Sequence, residues 1–227
     1  MQKRSCLFLI AALLVALMTT VLNTAAMAQK VTGAIFTTDM NSTFVNGNVY
    51  DSEDGYSADD VYLNGGPRPN APCDAAGLPS GPDGDYYYFQ VTDPSGSVLL
   101  HDSSDTVAER KVKVKDGLIV AYYGTTRLTG TGKCADPASG KVNITVELFP
   151  FNLTPNPGGE YKVWMTKDVD YACYPNEQIV DCTLGGVHGF IPSKSKTDNF
   201  KVVDYDGDGI PDSEDDCPDC FDLPPPV

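Results

Sequence analysis

The sequence predicts an all-β protein: an antiparallel β-sandwich over residues 29–203, preceded by a leader at 1–28 and followed by an acidic, irregular tail at 204–227. Three observations predict it. Between Lys30 and Val203 no segment sustains a helical hydrophobic period, whereas several alternate with period two. The 21 Gly and 17 Pro recur between these segments at hairpin-like spacing. The cysteines that remain once the leader is removed are even in number, as in a disulfide-bearing exported domain. A body of about 170 residues is long enough for one core. Division into two small β-domains near Gly130 is the competing arrangement.

Lys30–Thr38 is the first predicted strand. Asn46-Gly47 lies between Thr43–Val45 and Asn48–Tyr50, a strong short-range hairpin signal. Asp51–Asp60 reads as an acidic loop and Val61–Leu63 as a short strand. Asn64–Gly84 is a long Gly/Pro loop containing Cys73, and a loop of that length needs a function or a staple. Asp85–Asp93 is the clearest strand, with Tyr87, Phe89 and Val91 on one face and Tyr86, Tyr88 and Gln90 on the other. After the turn at Pro94-Ser95-Gly96, Ser97–His101 is predicted to return.

In Val107–Lys115, Val112 and Val114 point inward while Lys111, Lys113 and Lys115 point out, as a solvated face or as protection of a sheet edge. A patch for an anionic ligand is the functional alternative for these lysines. Asp116-Gly117 turns the chain into Leu118–Tyr123. Val142–Leu148 alternates again, with Val142, Ile144, Val146 and Leu148 inward. Asn152–Gly159 is a turn, Glu160–Val169 a strand around Trp164, and Phe200–Val203 the last strand.

The leader has its own signature. Lys3 and Arg4 precede an apolar run from Cys6 to Leu22, and Ala26-Met27-Ala28 forms a small-x-small cleavage site before Gln29. No second long apolar run follows, so no transmembrane segment is expected after cleavage, and the expected location is secreted or cell-surface. The remaining cysteines are Cys73, Cys134, Cys173, Cys182, Cys217 and Cys220. Six cysteines allow many connectivities. Proximity favours Cys173–Cys182 and Cys217–Cys220, which leaves Cys73 with Cys134. A zinc site needs two close cysteine pairs, and only Cys217-x-x-Cys220 has that spacing.

Without Lys3 and Arg4, 14 basic residues face 31 acidic ones, a net charge of −17. Such a surface repels nucleic acid and anionic lipid and attracts cations. Nine acidic residues and no Lys or Arg lie between Asp204 and Val227. Within DYDGDGIPDSEDDCP, Asp204, Asp206, Asp208, Asp212 and Asp215 occupy positions 1, 3, 5, 9 and 12, with Gly209 at position 6. This is the ligand spacing of an EF-hand-type loop, with Asp in place of Glu at the end. Alternation sets the first three carboxylates inside one curve. Gly209 allows the sharp turn that brings the Ile210 carbonyl to the ion, and Asp215 closes the shell. Hard oxygen donors of this kind suit Ca²⁺. The competing reading is a solvated acidic end.

The same stretch resembles a thrombospondin type 3 calcium repeat, whose pattern ends in an acidic or amide residue followed by Cys-Pro, here Asp216, Cys217 and Pro218. The resemblance covers about fifteen residues and implies calcium binding. The segment GLPSGPDGDYYYFQVTDPSGSVLL resembles prealbumin-like and Cna-B-like sandwich domains of bacterial surface proteins, over less than a quarter of the domain. It implies an Ig-like or prealbumin-like sandwich with an adhesion or stalk role. The Lys–Asn isopeptide bond of some such domains has no match here.

His101 and His188 are the only histidines. There is no GxSxG, HExxH, phosphate loop or GxGxxG, and no catalytic residue is assigned. Sequons begin at Asn41, Asn143 and Asn152. The sequence thus predicts a non-enzymatic, calcium-binding structural or adhesion protein whose candidate partners are a cell-surface protein or polysaccharide. The alternative is a carbohydrate-binding or glycan-hydrolysing domain, in which abundant tyrosines and Trp164 stack on sugar and paired loop carboxylates do the chemistry. The leader yields the first test. The intact mass of the exported protein is expected to begin at Gln29; a mass retaining Met1–Ala28 overturns the export assignment.

Overall fold

A computed structural model describes residues 32–50, 58–152, 154 and 159–203. The leader, most of the 51–60 loop, part of the 152–159 turn, the Cys217–Cys220 pair and the whole predicted calcium loop lie outside the described residues. Among the described residues ten strands occur: β1 (Ala34–Thr38), β2 (Val49–Tyr50), β3 (Tyr62–Gly66), β4 (Asp85–Thr92), β5 (Lys111–Lys115), β6 (Leu118–Tyr122), β7 (Thr129–Thr131), β8 (Ile144–Glu147), β9 (Glu160–Lys167) and β10 (Ser195–Val202). Among the described residues the only helical pieces are single 3-10 turns, so the fold is all-β. One sheet has the order β1-β3-β8-β7 and the other β2-β10-β9-β4-β5-β6. All pairings are antiparallel except β2 with β10, which is parallel. Strands from both sides of Gly130 pair within each sheet, so the chain does not divide there.

The two sheets share one core. Tyr87, Phe89 and Val91 of β4 meet Val112 and Val114 of β5, Tyr161, Val163 and Met165 of β9, and Phe200 and Val202 of β10. Ile35 of β1, Leu63 of β3 and Val146 of β8 close this cluster from the other sheet. Apart from Met165 and Leu63, these residues are β-branched or aromatic, at alternate positions along their strands, the pattern that fits a pleated surface. Thr37 of β1 also ties the sheets together, its backbone N–H donating to Asp198 Oδ2 of β10 at 2.9 Å.

The Asn46-Gly47 hairpin does not form. Asn46 does turn the chain, with φ 58, but β2 pairs with β10 and not with residues 43–45. Two short arms offer little cross-strand packing. Tyr50 instead buries completely, edge-on to Phe200 with centroids 6.4 Å apart. Val142 is 52 % exposed rather than inward. Asn143 takes the inner position, accepting from the Cys134 N–H at 3.0 Å and donating to the Ile119 carbonyl at 3.2 Å. Period-two geometry then turns Val142 outward. Ser97–His101 makes only a single bridge, Thr92 with Leu99, because His101 turns in to accept a hydrogen bond from the Val91 N–H at 2.8 Å. Strand β5 lies between β4 and β6, so its lysines guard no edge. The 107–110 part of the predicted strand is a 3-10 turn.

Both faces of β4 and β9 are covered at their centres. Residues 171–190 fold over the outer face, and Tyr171, Cys182 and Phe190 pack there on Tyr88, Trp164 and Val107. The Cys173–Cys182 disulfide, the pairing that proximity favours, closes this flap, and Cys73–Cys134, the pairing that this leaves, staples the long Gly/Pro loop. Such bridges mark an oxidising, non-cytoplasmic compartment. No helix among the described residues is long and apolar enough to cross a membrane. Beneath the flap, buried polar groups need partners. Gln90 donates to the Val187 carbonyl at 3.0 Å, and Trp164 Nε1 to Thr92 Oγ1 at 3.0 Å.

A charged network occupies the interior at one end of the sheets. Asp105 Oδ2 lies 2.6 Å from His101 Nδ1 and 2.6 Å from Arg127 Nη2. Arg127 Nη1 donates to Asp105 Oδ1 at 3.0 Å, and its guanidinium stacks over the Phe89 ring, 5.3 Å from the centroid. Since Val91 N–H points at His101 Nε2, the imidazole proton sits on Nδ1 and faces the carboxylate. Burial, with the Arg110 charge beside it, pushes His101 down to about 3. Burial opposes ionisation of Asp105, but hydrogen bonds from His101 and Arg127 outweigh it and hold the carboxyl well below the usual range.

Two predictions follow from this packing. Leu63→Ala is expected to cost about 2–5 kcal/mol in a denaturant titration, and Val142→Ala less than about 0.5 kcal/mol; equal costs would contradict the register described for β8. The second concerns pH. Both His101 and Asp105 have depressed values in the folded protein. The unfolded chain therefore binds a proton at histidine from about pH 6.5 and at aspartate from about pH 4, before the folded chain does. Stability is expected to fall as pH drops below about 6.5. His101→Gln should be less stable at neutral pH yet start its acid decline only in the carboxylate range. An unchanged pH profile in that variant would contradict the buried neutral imidazole.

Candidate functional site

The sequence-predicted ligands Asp204, Asp206, Asp208, Ile210, Asp212 and Asp215 all lie outside the described residues. What the structure describes is the strand that precedes them in the chain. Strand β10 is hydrogen-bonded on both sides, to β9 and to β2. Val202 N–H donates to the Gly159 carbonyl at 3.0 Å and Val203 N–H to the Tyr50 carbonyl at 2.9 Å. The chain is therefore held up to the residue before Asp204.

Beside that exit, between β2, β9 and β10, opens a cavity of about 490 Å³. Asn46, Asn48, Glu160, Asp198, Asn199 and Lys201 supply its polar lining. Burial raises the pKa of Asp198 against the hydrogen bonds from Thr37 and Asn199 that favour its ionised form. Amides and carboxylates around an open cavity provide acceptors for a hydrated cation or for hydroxyl groups.

A second cavity, of about 400 Å³, is lined by Ser97, Asp181, Thr183, Gly185, Val187 and His188, among others. His188 Nδ1 lies 2.9 Å from Asp181 Oδ1, and His188 holds a left-handed φ of 49. The Ser97 hydroxyl bonds to Ser95 Oγ at 2.7 Å. The arrangement places a serine, a histidine and an aspartate around one space without a nucleophile–base hydrogen bond. The other histidine, His101, is sealed inside.

The aromatic residues divide by face. Trp164, Tyr87, Tyr88 and Tyr161 are buried and offer no ring to a sugar. Tyr123 is 49 % exposed, and Tyr86 meets it edge-to-face at 5.1 Å. A hydrogen bond with Tyr86 raises the pKa of the Tyr123 hydroxyl. Lys111 Nζ lies 4.4 Å from the centre of the Tyr86 ring and forms an ion pair with Glu177 at 2.7 Å. Burial opposes ionisation of Glu177, and its bonds to Lys111 and Tyr88 lower its pKa despite that. On the outer face of β4 and β5 the lysines thus meet tyrosines and a carboxylate.

Sequence reasoning missed the Asp105 network and the Asp198 cavity. Arg110 and Arg127 are two of only four arginines in the chain. That scarcity is the signal available, because a planar, permanently charged fork is what a buried carboxylate selects over lysine. Asp198 carries no such mark. In comparisons with known protein families, curated proteins and solved structures, nothing matches this chain.

Proposed function

We propose that this chain is a secreted or cell-surface calcium-binding protein. Its β-sandwich, of an Ig-like or prealbumin-like kind, serves a non-catalytic structural or adhesive role, and the 204–227 tail takes up Ca²⁺ through Asp204, Asp206, Asp208, the Ile210 carbonyl, Asp212 and Asp215. The observation that carries this reading is the spacing of those five aspartates around Gly209. The double pairing of β10 supports it, because a fixed entry point lowers the ordering cost of a loop that must close around an ion. The acidic balance supports it as well, since crowded carboxylates gain from a divalent cation. Candidate partners are a cell-surface protein or polysaccharide.

A second reading, carbohydrate binding, draws on the half-exposed Tyr123 against Tyr86 with Lys111 beside them. Aromatic faces with adjacent charged groups suit sugar rings. It loses the Trp164 ring, which is only 6 % exposed.

Calorimetry on the mature protein separates these readings. Calcium is expected to bind with a Kd on the order of 10⁻⁴ to 10⁻³ M, and Mg²⁺ poorly, because it demands a smaller octahedral shell. Asp208→Ala should weaken calcium binding strongly, while Glu214→Ala, off the ligand spacing, should leave it near wild type. Equal calcium uptake by a truncation ending at Val203 would place the ion elsewhere and reduce the tail to a solvated end.

A further inference from the structure

The open cavity between β2, β9 and β10 is organised by one residue behind it. Thr37 of β1 has no exposed surface. Its N–H donates to Asp198 Oδ2 at 2.9 Å, its hydroxyl donates to the Gly47 carbonyl, and its own carbonyl accepts from the Gly47 N–H at 3.1 Å. Asp198 and the 46–48 turn are therefore fixed against the same point. Asn46 sits in that turn with a left-handed φ of 58, and the Asn48 carbonyl accepts from the Lys201 N–H at 2.9 Å. The other wall is paired strand. Glu160 of β9 and Lys201 of β10 are register partners, as are Lys162 and Asn199. The polar side chains of the lining thus project from a clamped turn or a hydrogen-bonded strand, which makes the site preformed.

The lining decides what kind of molecule fits. Glu160 and Lys201 face each other with opposite charge, and Asp198 is a second carboxylate, so an anion is disfavoured. The Lys201 ammonium opposes a metal ion, and no group of three His, Cys, Asp or Glu that could hold one occurs among the described residues. An extended peptide adds to a free strand edge, but β10 is paired on both sides and β2 offers only two residues. An apolar ligand would leave the amides and carboxylates of the lining without partners. Asn46, Asn48 and Asn199 each carry an amide that donates and accepts, and the carboxylates accept. Hydroxyl groups match both functions without bringing charge. Val49, 47 % exposed, and Pro94 add apolar surface on which the C–H face of a sugar ring can lie. The volume of about 490 Å³ falls within the roughly 300–1,000 Å³ of small-molecule sites.

We propose that this cavity binds a neutral, hydroxyl-rich ligand, the end of an uncharged oligosaccharide, through Asp198 and the amides of Asn46, Asn48 and Asn199. The proposal gives a site to the polysaccharide partner of the adhesive role and rests on that reading. The site is separate from the Tyr86–Tyr123 surface and from the calcium loop.

Saturation-transfer NMR on the mature protein tests this, with neutral, amino-bearing and uronate-bearing di- and trisaccharides at millimolar concentration. Transfer to neutral sugars is expected. Asn199→Ala and Asn48→Ala should each weaken the affinity for the strongest of them about fivefold, the effect of losing a ligand hydrogen bond. Both side chains are exposed, so both variants are expected to fold as the wild type does. Tyr123→Ala should leave the affinity unchanged; a loss there would move the sugar to the Tyr86–Tyr123 face and overturn the cavity. Asp208→Ala should likewise bind sugar as the wild type does, and a loss there would put the sugar on the calcium loop. Calcium uptake without any transfer to neutral sugars overturns this site and leaves the calcium reading standing. Transfer to charged sugars alone, or wild-type affinity in both asparagine variants, also overturns it.

Discussion

A single buried carboxylate, Asp105, holds together one end of this molecule. It takes hydrogen bonds from His101, which follows β4, and from Arg127, which precedes β7. Arg127 reaches onward to the carbonyls of Leu148 and Pro150 after β8 and of Glu109 before β5. Loops from both sheets therefore converge on one ion cluster. Taking these charges out of water is expensive, and the two-pronged Arg127–Asp105 pairing offsets part of that cost. Such a network contributes less to net stability than to uniqueness: loops carrying Asp105 and Arg127 have one arrangement in which both charges are paired. Removing the carboxylate alone would strand two guanidiniums in the interior, which is why the cluster behaves as a unit and not as separable pairs.

The flap over residues 171–190 changes what the six-stranded sheet can be. A sheet of this kind commonly shows one face to solvent. Here Tyr171, Cys182 and Phe190 bury the centre of the outer face, and β4 and β9 become strands covered on both sides. The long Gly/Pro loop is held by comparable means. Cys73–Cys134 crosses it, Lys133 Nζ gathers the carbonyls of Arg68, Pro69 and Ala71, and Leu78 N–H donates to the Gly117 carbonyl at 2.9 Å. The last contact brings Gly77 against Gly117 so closely that a Cβ on Gly77 would overlap the Gly117 carbonyl. Disulfides, an ammonium cage and a glycine-only approach thus do in the loops what sheet packing does in the core.

How much of this was legible follows from where each interaction lives. Lys111–Lys115 was readable because one side meets the core and burial imposes period two on its residues, and Asp85–Thr92 because its run of aromatic and β-branched side chains fits a strand buried at its centre on both faces. The Asp116-Gly117 turn was readable because both residues adopt positive φ, which their types favour. The Asn46-Gly47 signal failed for the opposite reason. It is a local preference, and the burial of Tyr50 against β10 is a distant one that outweighs it. Val142 failed because Asn143 looked polar and therefore outward, yet its amide found two buried backbone partners. The Asp105 cluster was invisible for the same cause: its members are far apart in sequence and belong to loops, where no periodicity reports on their neighbours.

The two halves of the proposed function rest on different physics, and that separation is itself informative. The β-domain is organised by apolar burial, two disulfides and an internal ion cluster, none of which needs an external cation. The tail has few apolar residues, Ile210, Phe221 and Leu223 among them, and nine carboxylates to neutralise. On the proposed reading its order comes from a bound cation and not from a core. If the proposed function holds, a domain stable by itself and a segment that depends on a cation, joined through a strand paired on both sides, divide the labour: the first keeps its shape, while the second responds to the ions around it. Under the proposed function, the paired strand end at Val203 would give a calcium loop a fixed start, because ordering that begins at a hydrogen-bonded strand end costs less entropy than ordering a free segment.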